Sequence, residues 1–178
     1  NGSGKSTLMK VFTRLYEPES GGILWDDTSV ESNNVTDYRT LFSSVFSDFH
    51  LFDRLYGLPE IEEKVVNDML GDLDIAHKTQ YRDGAFTNTN LSTGQRKRLA
   101  LAVALLENRP ILLLDELGAD QDPEFRKRFY NELIPGWKKE GRTLVIVSHE
   151  DQYFHVADRT IVLSDGQTAI QRQNGATS

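Results

Sequence analysis

The sequence opens on NGSGKSTLMK, where glycine, lysine and a small hydroxyl residue stand in the places that bind phosphate. A loop of this type reads G-x-x-x-x-G-K-[ST]. Its glycines let the backbone turn amides toward phosphate oxygens, and the helix that follows adds its positive end. Gly4, Lys5 and Ser6 fill the last three places, and Asn1, Gly2, Ser3 and Thr7 belong to the same cradle. Lys5 would supply charge to the outer phosphates and Ser6 a hydroxyl to Mg2+. An ordinary Gly/Ser turn capping a helix has similar letters, so other stations must be sought downstream.

The first is ILLLDE. Asp115, at the end of an apolar run, would hold magnesium through its water shell, and Glu116 would stand beside the γ-phosphate as the base that polarises attacking water. Taken alone, an apolar strand ending in acids is commonly structural; its company with a glycine loop points to nucleotide chemistry. LSTGQRKR places Ser92, Thr93, Gly94 and Gln95 at the start of a helix, where amides and a hydroxyl can meet a phosphate and where Ser92 can equally serve as a plain N-cap. TLVIVSHE puts His149 just past a second apolar run. His50, His77 and His155 form no metal-ligand spacing and read as structural or surface residues.

These residues need elements to hold them. STLMKVFTRLY spaces Leu8, Val11, Phe12 and Leu15 as a helix that starts on the glycine loop and stops at EPESGG. Short strands are expected at GILWDD and at LFSSVFS. PEIEEKVVNDMLGDLDI reads as an amphipathic helix with Ile61, Val65, Met69 and Leu73 on one side, and GQRKRLALAVALLEN as a longer helix buried on several faces. ILLLDE and TLVIVSHE are too short for helices and typical of strands covered on both faces, PEFRKRFYNELIPGWKKEG is helical between them, and RTIVLSDG adds one more strand and a turn. Alternating strands and helices argue for an α/β domain with a mostly parallel sheet.

Composition sets the outer bounds. The chain has 178 residues, a net charge of -7 and a sequence pI of about 5.1, which argues against general affinity for nucleic acid. The absence of cysteine excludes a disulfide framework, thiolate zinc sites and cysteine nucleophiles. The most apolar stretches fall far short of the ~20 residues a spanning helix needs.

Taken together, the glycine loop, LSTGQ, ILLLDE, LGADQDP and VSHE resemble the nucleotide-binding domain of ATP-binding cassette (ABC) proteins, from Asn1 to about Gly166. The resemblance implies a P-loop NTPase fold with a helical subdomain, about 48–107, inserted into a catalytic core of about 1–47 and 108–178. It implies ATP and Mg2+ as ligands, Glu116 as general base and His149 as a γ-phosphate contact. It also implies a dimer of such domains, in which Ser92 and Gly94 reach the nucleotide held by the other copy and Asp122 addresses the opposite subunit. The family's first strands precede the loop, so the sequence is expected to be part of a longer chain with a transmembrane domain N-terminal to it. By itself it is expected to bind ATP poorly or fail to fold.

Three departures matter. Thr93 replaces the first glycine of the usual LSGGQ, and Asp120 stands where small neutral residues are common. The glutamine expected after the strand at 41–46 is replaced by Ser47, too short to reach equally far toward magnesium, so a bridging water, Asp48, or a weaker dependence on that contact would have to compensate. FSDFHLF, DELGADQDPEFRKRFYNELIP and VSHEDQYFHVADR resemble the cyclic-peptide and siderophore-peptide exporters of bacteria, pyoverdine-precursor type. That subgroup implies peptide export at the cytoplasmic face of the inner membrane. Two other readings stay open: a soluble cassette ATPase acting on ribosomes or DNA, and a nucleotide-binding module with impaired hydrolysis.

Overall fold

The computed structural model describes residues 4–164 and 166–173. Helix α1 (Lys5–Phe12) leads into a hairpin of β1 (Leu24–Trp25) and β2 (Thr28–Ser29), then α2 (Val35–Arg39) and β3 (Phe42–Val45). Helix α3 (Glu63–Asp72), a second hairpin of β4 (Tyr81–Arg82) and β5 (Ala85–Phe86), and α4 (Thr93–Leu106) follow. Next come β6 (Ile111–Asp115), α5 (Pro123–Arg128), a π-helical turn at Phe129–Leu133, α6 (Ile134–Lys139) and β7 (Thr143–Val147). A 3-10 helix at Asp151–Val156 and a hairpin of β8 (Arg159–Ser164) and β9 (Gln167–Gln173) close the order.

The expected parallel sheet is present, with β6 central between β3 and β7 and both pairings parallel. Val45 pairs with Leu114, and Leu114 with Ile146. Because all three strands run the same way, the segments that leave them emerge along one edge, and these are the segments that carry Ser47, Glu116 and His149. Leu112, Leu113 and Leu114 are wholly buried, as a strand packed on both faces requires. The main core joins Leu112 and Leu114 to Val66 and Leu70 of α3, Leu99, Leu101 and Ala102 of α4, and Phe129 and Trp137 beyond β6. A smaller core gathers Val30, Tyr38 and Phe42, whose rings meet edge to face at 5.0 Å for the last two.

Several expectations change in detail. Helix α1 stops at Phe12, and Arg14 just after it has a left-handed φ of 58°. Its buried residue is Met9, while Leu8 and Leu15 are each 51% exposed, so the face that periodicity selected is not the one turned inward. Helix α3 buries Val66 and Leu70, with Leu73 just beyond its end, and leaves Val65 exposed. Ile61 lies before the helix starts, so it cannot set the phase of the buried stripe. The strand expected at GILWDD is one arm of a hairpin turned by Asp26 and Asp27, both at positive φ, and a second such turn, Asp83-Gly84, makes the hairpin of β4 and β5. Strand β7 is half-buried, unlike β6, because among the described residues it pairs on one side only.

The helix read through PEFRKRFYNELIPGWKKEG is interrupted by the π turn just ahead of Pro135. Proline lacks an N–H and its ring crowds the carbonyl four residues back, here that of Asn131; one widened turn absorbs both. The turn also seats Phe129, fully buried, between Tyr130 at 4.9 Å and Trp137 at 6.1 Å. Phe129→Ala is therefore expected to destabilise the domain by about 3–5 kcal/mol, seen as a lower denaturant midpoint with an unchanged slope.

Candidate nucleotide site

Gly4 caps α1 with φ 87°, a conformation that side chains avoid, and among the described residues no side chain caps the helix start. A helix start presents its first amides along the axis, as an anion-binding end requires. Asn1, Gly2 and Ser3 lie outside the described residues.

Across the sheet edge, Asp115 ends β6 almost wholly buried. Its Oδ2 accepts a hydrogen bond from the Ser47 hydroxyl at 3.0 Å and a longer one from the Ser47 amide at 3.4 Å. Its Oδ1 is buried with no partner. An orphaned carboxylate oxygen in that place is costly unless a cation or its hydration shell completes it. The donor set suits magnesium, a hard ion that takes oxygen ligands and is usually held by one or two carboxylates together with substrate phosphates. No cluster of three or more His, Cys, Asp or Glu that could cage a metal occurs among the described residues. Asp48, a candidate replacement for the missing glutamine, is turned elsewhere: it pairs with Lys10 of α1 at 2.6 Å, and that ammonium holds its carboxyl below the usual carboxylate range.

Glu116 follows at once, with φ 52°. Its amide donates to Val147 of β7 at 3.0 Å, and its Oε1 lies 3.1 Å from Nε2 of His149, so the two sequence-selected catalytic residues are brought into direct contact. Ser148 beside His149 is tied to the Tyr130 hydroxyl at 2.8 Å, and burial raises the pKa of that phenol.

The LSTGQ segment starts α4 through a reciprocal cap: Ser92 Oγ accepts from the Gln95 amide, and Gln95 Oε1 accepts from the Ser92 amide. This leaves the Thr93 and Gly94 amides unpaired within the helix. Gly94 is required by close approach, because a Cβ there would lie 2.4 Å from the carbonyl oxygen of Asp120. Asp122 caps α5, accepting from the Phe125 amide at 2.9 Å and pairing with Arg98. The Phe125 amide, helped by Arg98, lowers its pKa.

Two residues that tie the loops of the site together escaped the sequence reading. Gln121 is buried and bridges the segments, accepting from Arg98 at 2.8 Å and donating to the carbonyls of Gly94 and Leu117. Arg126 donates to the carbonyls of Gly118 and Gln121 and pairs with Glu150 at 3.2 Å, linking the loop after β6 to the loop after β7. Neither residue type carries a motif signal; both roles exist only once the loops meet.

A parallel sheet with a glycine-started helix and an Asp-Glu pair ending its central strand defines a P-loop nucleoside triphosphatase. Residues 1–119 match the family model described as ABC transporter, so the chain belongs to the ABC transporter family and carries its ATP-hydrolysing domain. It is 52% identical over 170 residues to the ATP-binding protein SyrD of Pseudomonas syringae pv. syringae, an alignment covering 93% of this chain and 30% of that protein. A bacterial Atm1-family ABC exporter with ATP bound superposes with a TM-score of 0.83 at 26% identity, over 98% of this chain and 32% of that one. The ATP-binding cassette MJ0796, in a dimeric state bound to ADP and Pi, shares the fold with a TM-score of 0.79 at 24% identity, over 98% and 82%. The chain thus spans under a third of the length of SyrD.

Gly94→Ala is expected to cost about 1–3 kcal/mol, because a backbone carbonyl must move aside. Gly136→Ala in α6, where a Cβ meets nothing within 4 Å, should be neutral or stabilising by up to about 1 kcal/mol. Thermal unfolding of the two variants side by side checks the contrast. For Asp122 the lowered pKa means stability that is present above the ordinary carboxylate range and lost as pH falls through its folded value. Acid titration of Asp122→Asn should therefore show a shallower loss of stability below pH about 4 than the parent shows.

Proposed function

We propose that this chain is the nucleotide-hydrolysing part of a bacterial ABC exporter and that Glu116 is its general base. The observation that carries this reading is the Glu116–His149 contact at 3.1 Å, set beside the buried Asp115 carboxylate with its unpaired oxygen. In it, residues 1–7 hold the phosphates and Lys5 neutralises the outer ones. Ser6 and Asp115, with Ser47 through a lone pair of its hydroxyl, would hold Mg2+, which would supply charge neutralisation on the phosphates. Glu116 accepts the proton of the attacking water, and His149 fixes the carboxylate and contacts the γ-phosphate.

The reading extends to the assembly. Two copies close head to tail, each offering Ser92, Thr93, Gly94 and Gln95 to the nucleotide of the other, with Asp122 at the interface. The dimeric MJ0796 cassette supports this by its fold. Residues of about 48–107 act as the helical subdomain between the two stretches of catalytic core. No helix among the described residues is long and apolar enough to cross a membrane, so a transmembrane domain elsewhere in a longer chain would carry the cargo. A groove of about 260 Å³ between Phe49, Phe52, Tyr56, the α4 residues Ala100 and Val103, and Glu107 just past its end supports docking of that domain. The domain would then work at the cytoplasmic face of the inner membrane. A peptide or siderophore-peptide cargo rests on subgroup likeness, which the similarity to SyrD favours.

Glu116→Gln in the full-length protein is expected to leave ATP binding intact, abolish steady-state hydrolysis and trap a closed dimer of nucleotide-binding domains. Magnesium-dependent phosphate release and crosslinking of the dimer measure the two effects. Unchanged turnover would take Glu116 out of the base role.

A further inference from the structure

Lys97 lies on α4, is 5% exposed, and points back under the loop that follows β6. Its ammonium donates to the backbone carbonyl oxygen of Glu116 at 2.7 Å and pairs with Asp120 at 2.6 Å. Glu116 itself occupies the left-handed region, which a side-chain-bearing residue keeps only when its surroundings over-determine it. Here both ends of the residue are tied: the amide to Val147 in β7, the carbonyl to Lys97. With the flanking peptide planes fixed, the Cα–Cβ direction is fixed too, and the carboxylate is aimed at His149 rather than along the strand.

We infer that Lys97 is a positioning residue for hydrolysis, its ammonium locked by Asp120 so that it holds the Glu116 backbone in the conformation that aims the carboxylate at water. The inference rests on Glu116 being the base. It accounts for two letters with no other evident role, the lysine after GQR and the aspartate at 120, as one pair. It also ties the α4 start, with Ser92 and Gly94, rigidly to the same chain's own base.

The test uses steady-state ATPase kinetics of the full-length protein. Lys97→Met, which keeps the apolar stem and removes the donor, should lower kcat at least about tenfold with KM for ATP within about twofold, and Lys97→Arg should restore part of the loss. Asp120 is 47% exposed on its side chain, so Asp120→Asn should fold normally. It should lower kcat about threefold or more, and should add nothing when placed in the Lys97→Met background. Parent-like kcat in Lys97→Met, or losses that multiply in the double variant, would overturn the inference. Should Lys97→Met not fold, an unchanged kcat in Asp120→Asn would overturn it as well. Glu116→Gln turning over normally would overturn the base assignment and this inference with it, whereas an inactive Glu116→Gln beside a fully active Lys97→Met would remove only the positioning role.

Discussion

The loop from Glu116 to Asp122 buries Leu117, Gly118 and Gln121 while Ala119, Asp120 and Asp122 stay exposed, and the need of its buried part for hydrogen-bond donors organises the rest of the site. An inward-facing loop cannot leave its backbone oxygens unpaired. Three side chains meet the need: Lys97 bonds Glu116, Gln121 bonds Gly94 and Leu117, and Arg126 bonds Gly118 and Gln121. Arg98 completes the set by holding Gln121 and Asp122 and lying 3.7 Å over the Phe125 ring. The cations are paired with Asp120, Asp122 and Glu150, so the buried or half-buried charges on α4 and α5 are compensated.

The consequence is mechanical. Helix α4 and the loop after β6 are joined at Gly94 by a contact too close for a Cβ, and the loop after β6 is joined to the loop after β7 through Arg126 and Glu150. The start of α4, Glu116 and His149 are therefore tied to one another through these contacts. Parallel pairing does the remaining work: β3, β6 and β7 bring Ser47, Asp115, Glu116 and His149 to one edge, although they are far apart in sequence.

The candidate stations could be picked out in the sequence because each combines a rare residue pattern with a fixed local geometry. A glycine-lysine-serine turn into a helix, acids at the end of an apolar run, and a capped helix start depend on neighbours in the chain, so Lys5, Ser6, Ser92, Gln95, Asp115 and Glu116 could be named as candidates from letters, and the helix start at Ser92 and the strand end at Asp115 lie where those patterns put them. The phases of helices were less legible. Met9 rather than Leu8 turns inward on α1, and on α3 Val66 and Leu70 are fully buried, Met69 packs partly buried against the same core, and Val65 faces out. Both helices are short and have apolar residues on more than one side, so periodicity admits two faces and the packing partner chooses between them.

Ser47 and Asp120 show the same division at the level of single side chains. As letters they were departures from a family pattern. In the fold, Ser47 donates to the buried Asp115 carboxylate and Asp120 neutralises a buried lysine. The amino-acid sequence by itself determined the class of chemistry and the order of elements, since both follow from interactions within a few residues along the chain. The tertiary structure alone decided which carbonyl each cation satisfies, which oxygen of Asp115 is left open, and where Glu116 points. Those outcomes depend on groups separated by tens of residues, whose distances are set only when the sheet brings its loops to a common edge.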